Sequence, residues 1–381
     1  MKKFLTFILA LITCIFVYAS EKLPMNIKCG PWKSGHVQGI AVDEAHKYIY
    51  FSFTTILVKC DMQGNVIGTV TGLLGHLGCI AINPEDGRLY GSLEYKDDVI
   101  GRGILNYAGV KEKFEDNFYV AIFDIDRIDR MGLNAEKDGI MKTVCLKKVL
   151  EYYQDSVEVD GKKLEHRYGV SGIDGITFGP IFSSKDDKNF LTVAFGIYND
   201  TERRDNDHQI IHQYDWRNWK KDYEDVLSQN NMHHKGPGSP KKEYFVYTGN
   251  TSWGVQNMEY DKELGIYFLS TYKGEKEDFA NFQMFLIDRK AKAKECKLNG
   301  VPYKDKALVL PLMKKGEKDP MHKGIYGYHF SPGPTGMCSL GKGLFYFADS
   351  KKNKKDKTRS SVAHLYRFVG NRTTAFEKVE Y

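Results

Sequence analysis

Between residues 39 and 70 the chain writes four short runs of apolar, β-branched and aromatic residues: GIAVD (39 to 43), YIYFSF (48 to 53), LVKCD (57 to 61) and VIGTV (66 to 70). Forty residues after the first run the series starts again with CIAIN (79 to 83), and a histidine leads both units, His36 in SGHVQGIAVD and His76 in GHLGCIAIN. Runs of this length and composition, bounded by Gly, Asp and Asn, are strand text. Self-similarity at a fixed period marks a repeat architecture, because one such unit cannot bury its apolar faces alone.

The second unit continues with RLYGSLE (88 to 94), YVAIFD (119 to 124) and TVCLKKV (143 to 149). A third reads GITFG (175 to 179), FLTVAFG (190 to 196), QIIHQYD (209 to 215) and YFVYTG (244 to 249). The fourth reads VQNMEYD (255 to 261), GIYFLSTY (265 to 272), QMFLID (283 to 288) and ALVLPLM (307 to 313). The fifth reads GMCSL (336 to 340), LFYFAD (344 to 349), HLYRFV (364 to 369) and FEKVEY (376 to 381). Five units of four strands predict an all-β fold, a five-bladed β-propeller of four-stranded antiparallel blades whose radial packing protects their edges. Six or seven blades, the alternative, would need strand quartets inside the insertions, where none is legible.

The chain opens MKKFLTFILALITCIFVYAS, two lysines ahead of an apolar stretch that ends in small residues, which is the layout of a secretory signal peptide. The expected organisation is a cleaved leader over residues 1–19, one propeller domain over 20–381, and a periplasmic or secreted monomer. Past Val17 no apolar stretch approaches the roughly 20 residues of a membrane span. A formal charge of +6 is small for 381 residues, and the basic run KKNKKDKTR (351 to 359) has no interleaved aromatics, so nucleic acid is not an expected partner. The cysteines from Cys29 onward are widely spaced with no CxxC, which does not read as a zinc site or a disulfide framework. Cys60, Cys79 and Cys338 fall inside strand text and read as small core residues.

In a propeller the first strand of each blade lines the central channel, so the residues at its start crown one mouth. They are His36 and Gln38, His76, Ser171 and Asp174, Trp253, Gln256 and Asn257, and Thr335. The loops between second and third strands open on that face, and those over 95–118, 198–208, 273–282 and 350–363 are long. Glu94, Tyr198, Tyr272 and Asp349 stand at second-strand ends, while Arg102 and the Arg203 and Arg204 of RRDND add charge. Imidazoles titrate near working pH and suit proton transfer. Arginine clamps carboxylates and tyrosine stacks on rings.

The expected catalytic residues are therefore His36, His76 and Asp174. The expected substrate-binding residues are Gln38, Glu94, Arg102, Tyr198, Arg203, Arg204, Trp253, Gln256, Asn257, Tyr272 and Asp349. A carboxylate pair drawn from Asp174, Glu94 and Asp349 is a second route to glycosidic cleavage. His36, His76 and Asp174 have donor types that suit a divalent metal such as zinc or manganese, without local ligand spacing to support it, and no cofactor is assigned.

On the blades GIAVD with YIYFSF and CIAIN with RLYGSLE, the chain resembles secreted β-propeller proteins of the group that includes glycan-active hydrolases and lyases and NHL-type and SMP-30-like propellers. The resemblance covers most of the chain after the leader and is one of fold. It implies an exported enzyme that cleaves a glycosidic bond in an acidic, uronate-containing oligosaccharide, as a hydrolase or a lyase. By analogy with propeller enzymes acting on rhamnose joined to glucuronate, it draws attention to His36 in the funnel. Two other functions suit the same face: a non-catalytic module that binds a sugar, peptide or protein, and a metal-dependent phosphohydrolase or lactonase.

Overall fold

The structure, a computed structural model, describes residues 22–228, 232–303 and 306–380; the leader expected over 1–19 lies outside the described residues. Five antiparallel sheets form the five blades of a propeller. Blade one runs outward through Val37–Val42, Tyr48–Phe53, Ile56–Asp61 and Val66–Thr71. Blade two uses His76–Ile82, Leu89–Tyr95, Asn117–Phe123 and Met141–Cys145. Blade three uses Val170–Gly179, Phe190–Ile197, His208–Tyr214 and Lys242–Tyr247. Blade four begins with Ser252–Asp261, Ile266–Tyr272 and Met284–Asp288, and blade five with Met337–Ser339, Leu344–Ala348 and Arg359–Phe368.

The strands read as unbroken apolar runs because both faces of a blade pack against neighbouring blades. Each seam carries its own apolar cluster. Tyr50 and Leu57 meet Leu77 and Tyr119 between blades one and two, and Val120 and Val144 meet Val170 and Ile210 between two and three. Ile211 and Val246 meet Met258 and Phe285 between three and four, Phe268 and Met284 meet Phe345 and Phe347 between four and five, and Tyr346 meets Phe51 and Cys60 where five returns to one. Five clusters at five seams account for the ring. The aspartates that end the runs make turns: Asp43 Oδ1 accepts the amides of Lys47 and Tyr48 at 2.6 and 3.0 Å, and Asp61 Oδ1 accepts those of Gln63 and Asn65 at 2.9 and 2.8 Å.

Three strand assignments are corrected. The run at 307–313 does not complete blade four: Ala307–Leu310 pairs in parallel with the outer strand of blade three, Phe245 opposite Val309, and buries Ala307 with that blade's aromatic residues. Blade four keeps three strands, and Tyr328 guards its edge by exchanging backbone bonds with Met284 at 2.9 and 3.1 Å. The run at 376–381 contributes only Phe376–Lys378, beside the end of Arg359–Phe368; the longer outer position of blade five is taken by Asn26–Trp32, with Asn26 opposite His364 and Cys29 opposite Ser361. The strand expected over 143–149 stops at Cys145, and Lys147–Gln154 is a helix that buries Val149, Tyr152 and Tyr153.

One local irregularity positions the site. Pairing shifts by one residue between Val37 and Gly39, between Ile173 and Gly175, and between Val255 and Asn257, so Gln38, Asp174 and Gln256 are the extra residues of β-bulges at equivalent places on three inner strands. A fourth shift lies between Leu77 and Ile80. A bulge bends its strand and re-aims the extra side chain. Among the described residues no helix is long and apolar enough to cross a membrane.

Candidate functional site

A cavity of about 550 Å³ opens at the mouth that the bulges face. His36, Gln38, His76, Glu94, Asp174, Trp253, Gln256 and Tyr272, all expected from the sequence, line it together. The insertion over 95–118 leans over the same space. Asp98 caps its helix Val99–Ala108 by accepting the Gly101 amide at 2.8 Å, Gly109 in the left-handed conformation ends it, and Ile100 on its first turn reaches the cavity.

At the floor His76 stands between two carboxylates. Its Nδ1 lies 3.6 Å from Glu94 Oε1 and 3.7 Å from Asp174 Oδ1. Glu94 has two further partners: Lys96 Nζ sits 2.7 Å from its Oε1 and the Ile173 amide donates to its Oε2 at 3.0 Å. Lys96 also donates to the Ser171 carbonyl at 2.9 Å and lies 3.5 Å from Asp98 Oδ2. Asp174 accepts from Gln256 Nε2 on Oδ2 at 3.4 Å, and Gln256 in turn accepts from Gln38 at 2.6 Å, so the three bulge residues form one chain. His76 Nδ1 and Asp174 Oδ1 are buried without a hydrogen-bond partner, although His76 is only 7% and Asp174 8% exposed. Such groups cost stability unless something satisfies them.

Burial shapes the protonation of this group. It pushes His36 down to about 4, helped by neighbouring His76, and pushes His76 down to about 4, helped by Lys96, so both imidazoles are neutral at neutral pH. Burial raises Asp174 well above the usual carboxylate range, with Glu94 adding to it. Burial also raises Glu94, against the pull of Lys96. For Lys96 burial opposes the charge, but Glu94 and Asp98 outweigh it and hold the ammonium above its ordinary value.

The rim is aromatic. Trp253 is 42% exposed and sits at φ +63°, a conformation rare for a bulky residue, with Tyr198 edge-on at 5.7 Å. Strained backbone of this kind concentrates at functional sites. Tyr272 lines the cavity, and burial raises its phenol to about 12, so it stays a neutral donor.

The other expected residues lie elsewhere. Arg102 is on the solvent side of the helix, paired with Asp97 at 3.0 Å. Arg203 turns inward to Asp205 and to the carbonyls of Glu165 and His166, because its loop folds over blade three. Arg204 borders a separate cavity with Asp160, Lys162 and Glu202. Asn257 holds the Gln38 and Pro334 carbonyls at 2.9 and 3.0 Å and works as a tie between inner strands. Asp349 accepts the Val362 amide at 2.8 Å inside blade five, and Tyr198 packs behind Trp253. The metal trio considered from sequence is altered too: the donors that cluster are His76, Glu94 and Asp174, with Glu94 in place of His36. Lys96, two residues past Glu94 on the same side of an alternating strand end, had not been expected at all.

No protein-family model matches the chain, and no curated protein matches it. Solved structures with a similar shape include the holo PQQ domain of pyranose dehydrogenase from Coprinopsis cinerea, 9% identical over 86% of this chain and 81% of that one, at a TM-score of 0.39. A protein of unknown function from Bacteroides caccae is 10% identical over 68% of this chain and 81% of that one, at 0.31. A luciferin-regenerating enzyme is 14% identical over 92% of this chain and all (100%) of that one, at 0.30. These likenesses go no further than propeller architecture.

Proposed function

We propose that the cavity is the active site of a hydrolase for an uncharged, sugar-sized substrate, and that the bond attacked is an ester or lactone. The single observation that carries this reading is the pair of buried, unpartnered atoms His76 Nδ1 and Asp174 Oδ1, 3.7 Å apart on the cavity floor. Polar atoms so placed can orient one water, and the neutral His76 Nδ1 can take its proton as it attacks a carbonyl, provided the substrate sits above them. Trp253 and Tyr272 supply a stacking wall for a ring, and Gln38 and Thr54 supply polar contacts for hydroxyls.

Two features move the reading away from a uronate glycan. Arg102, Arg203 and Arg204, the expected carboxylate clamp, do not line the cavity. Lys96, the lysine among the described residues that line the cavity, is spent on Glu94. The two-carboxylate route to glycosidic cleavage needs both carboxylates to face the sugar, whereas Glu94 is paired with Lys96 and held by the Ile173 amide.

The test is a panel of sugar lactones, acetylated sugars and aryl glycosides, assayed with the unmutated protein and with Asp174→Asn and His36→Ala. Turnover of a lactone or ester that Asp174→Asn removes supports the reading. Turnover of glycosides alone, or ligand binding with no turnover of any panel member, overturns it, the latter in favour of a binding module.

A further inference from the structure

We propose that His76, Glu94 and Asp174 form a binding site for one divalent transition-metal ion, of the zinc or manganese class. The inference deepens the hydrolase reading by naming what activates the water, yet it stands on geometry that needs no substrate.

The spacing is the first argument. Nδ1 of His76 lies 3.6 Å from one carboxylate oxygen and 3.7 Å from the other, too far for a hydrogen bond in either case. Two donors each about 2.1 Å from a tetrahedral ion stand about 3.4 Å from each other. The donor atoms of His76, Glu94 and Asp174 all lie within 4.8 Å of one another, and all three residues are buried. One imidazole with two carboxylates is a donor set that suits zinc, manganese or ferrous iron better than calcium, which prefers oxygen alone.

Unsatisfied valence is the second. His76 Nδ1 and Asp174 Oδ1 are both buried and lack a hydrogen-bond partner, and they stand 3.7 Å apart in the same cluster as Glu94. An imidazole nitrogen is a ligand only through its lone pair, and no hydrogen bond occupies Nδ1 of His76.

Charge is the third. Glu94, Asp98 and Asp174 bring three carboxylates and Lys96 one ammonium, at 2.7 Å from Glu94 and 3.5 Å from Asp98. Counted as formal charges, three carboxylates and one ammonium leave two negative charges, which a dication neutralises. Lys96 shares Glu94 Oε1, and the chain Gln38 to Gln256 to Asp174 orients the second carboxylate. Outer contacts of this sort are what tune a metal centre. Three protein donors at the floor of an open cavity leave a coordination position toward substrate, the pattern of a catalytic rather than a structural site. A water there would be acidified toward pH 7, and would deliver hydroxide to the carbonyl while the departing alkoxide takes up a proton.

The experiment is equilibrium dialysis of chelator-stripped protein against zinc chloride and, separately, manganese chloride, with metal content read by elemental analysis and folding by circular dichroism. One ion per chain is expected. Asp174→Asn, which keeps size, and His76→Ala should each weaken binding at least tenfold, since even outer contacts of metal sites are worth about 10 to 100-fold. Arg204→Ala should bind as the unmutated chain does. Cobalt(II) in the same site should give visible absorption that Asp174→Asn removes. Absence of stoichiometric binding by the folded protein, or binding that survives both substitutions, overturns the site. Failure of the hydrolase reading looks different: a metal-loaded protein that turns over no ester or lactone.

Discussion

Lys96 Nζ stands 2.7 Å from Glu94 Oε1 inside the propeller, with both side chains almost wholly out of solvent. A buried ion pair broken on one side strands the other charge, at a cost of about 3 to 5 kcal/mol. Lys96→Met should lower the urea midpoint sharply at neutral pH. The double substitution Lys96→Met with Glu94→Gln should recover part of that loss, because it removes the stranded carboxylate. A double variant no more stable than Lys96→Met would show that the pair is not what holds this region.

Gly78 belongs to the bulge that opens blade two. A methyl group built there would stand 2.5 Å from Asp174 Oδ1 and 2.4 Å from Ser92 Oγ, both inside contact distance. Gly78→Ala should displace the Asp174 carboxylate and cut turnover or metal affinity by about tenfold or more, by analogy with other losses around metal ligands, while the far-ultraviolet circular dichroism stays native. Gly103→Ala is the control, since its methyl group meets nothing within 4 Å and it sits in the helix Val99–Ala108, where alanine is favoured.

His208 lies on blade three and does not line the cavity, its ring against Tyr247 at 4.9 Å, and burial alone pushes it down to about 3. An unfolded histidine titrates near 6.5. Between those values the unfolded chain binds a proton that the folded chain refuses, so stability at this residue is lost as pH falls from about 6.5 toward 3. Chemical denaturation as a function of pH should show that slope, and His208→Gln should flatten it by one proton. An unchanged slope in the variant would place the acid sensitivity elsewhere.

Of the cysteines described, Cys296 is exposed while Cys29, Cys60, Cys79, Cys145 and Cys338 are buried. Burial also raises Cys29 well above its ordinary value, with Cys60 at 3.9 Å adding to it. In the native protein a thiol reagent at pH 7.5 should modify Cys296 rapidly and these five only on unfolding. Cys296→Ser should remove the rapid phase from the propeller; rapid labelling that persists would mean that a seam opens on the timescale of the assay.

The blade count was legible because it rests on periodicity, and every seam closes with the apolar residues the runs supply. Outer strands were legible only where sequence neighbours pair. Nothing in FEKVEY or in residues 26–32 announces that the latter outcompetes the former for blade five, since that choice depends on ring closure. The site was half legible. His76, Glu94 and Asp174 come together because strand starts converge on an axis. The arginines do not, because a loop conformation decides where Arg203 points, and it points to Asp205. A stronger signal lay in VQG (37 to 39), IDG (173 to 175) and VQN (255 to 257), polar residues set between an aliphatic and a small or amide residue at matching places. Each marks a bulge, and each bulged side chain lines the cavity.

The pairing of Asn26–Trp32 with Arg359–Phe368 sets the order in which the molecule can be made. A ribosome finishes the first strand more than three hundred residues before its partner, Asn26 and His364 being the extreme pair. Contacts of such long separation form late and slowly. Until then the unfinished ring carries a bare edge strand and an uncovered seam on blade one, surfaces that invite aggregation. A carrier that holds the nascent chain extended until synthesis ends would favour this topology, and a bulky fusion placed directly ahead of Asn26 would burden the last step of assembly rather than the first.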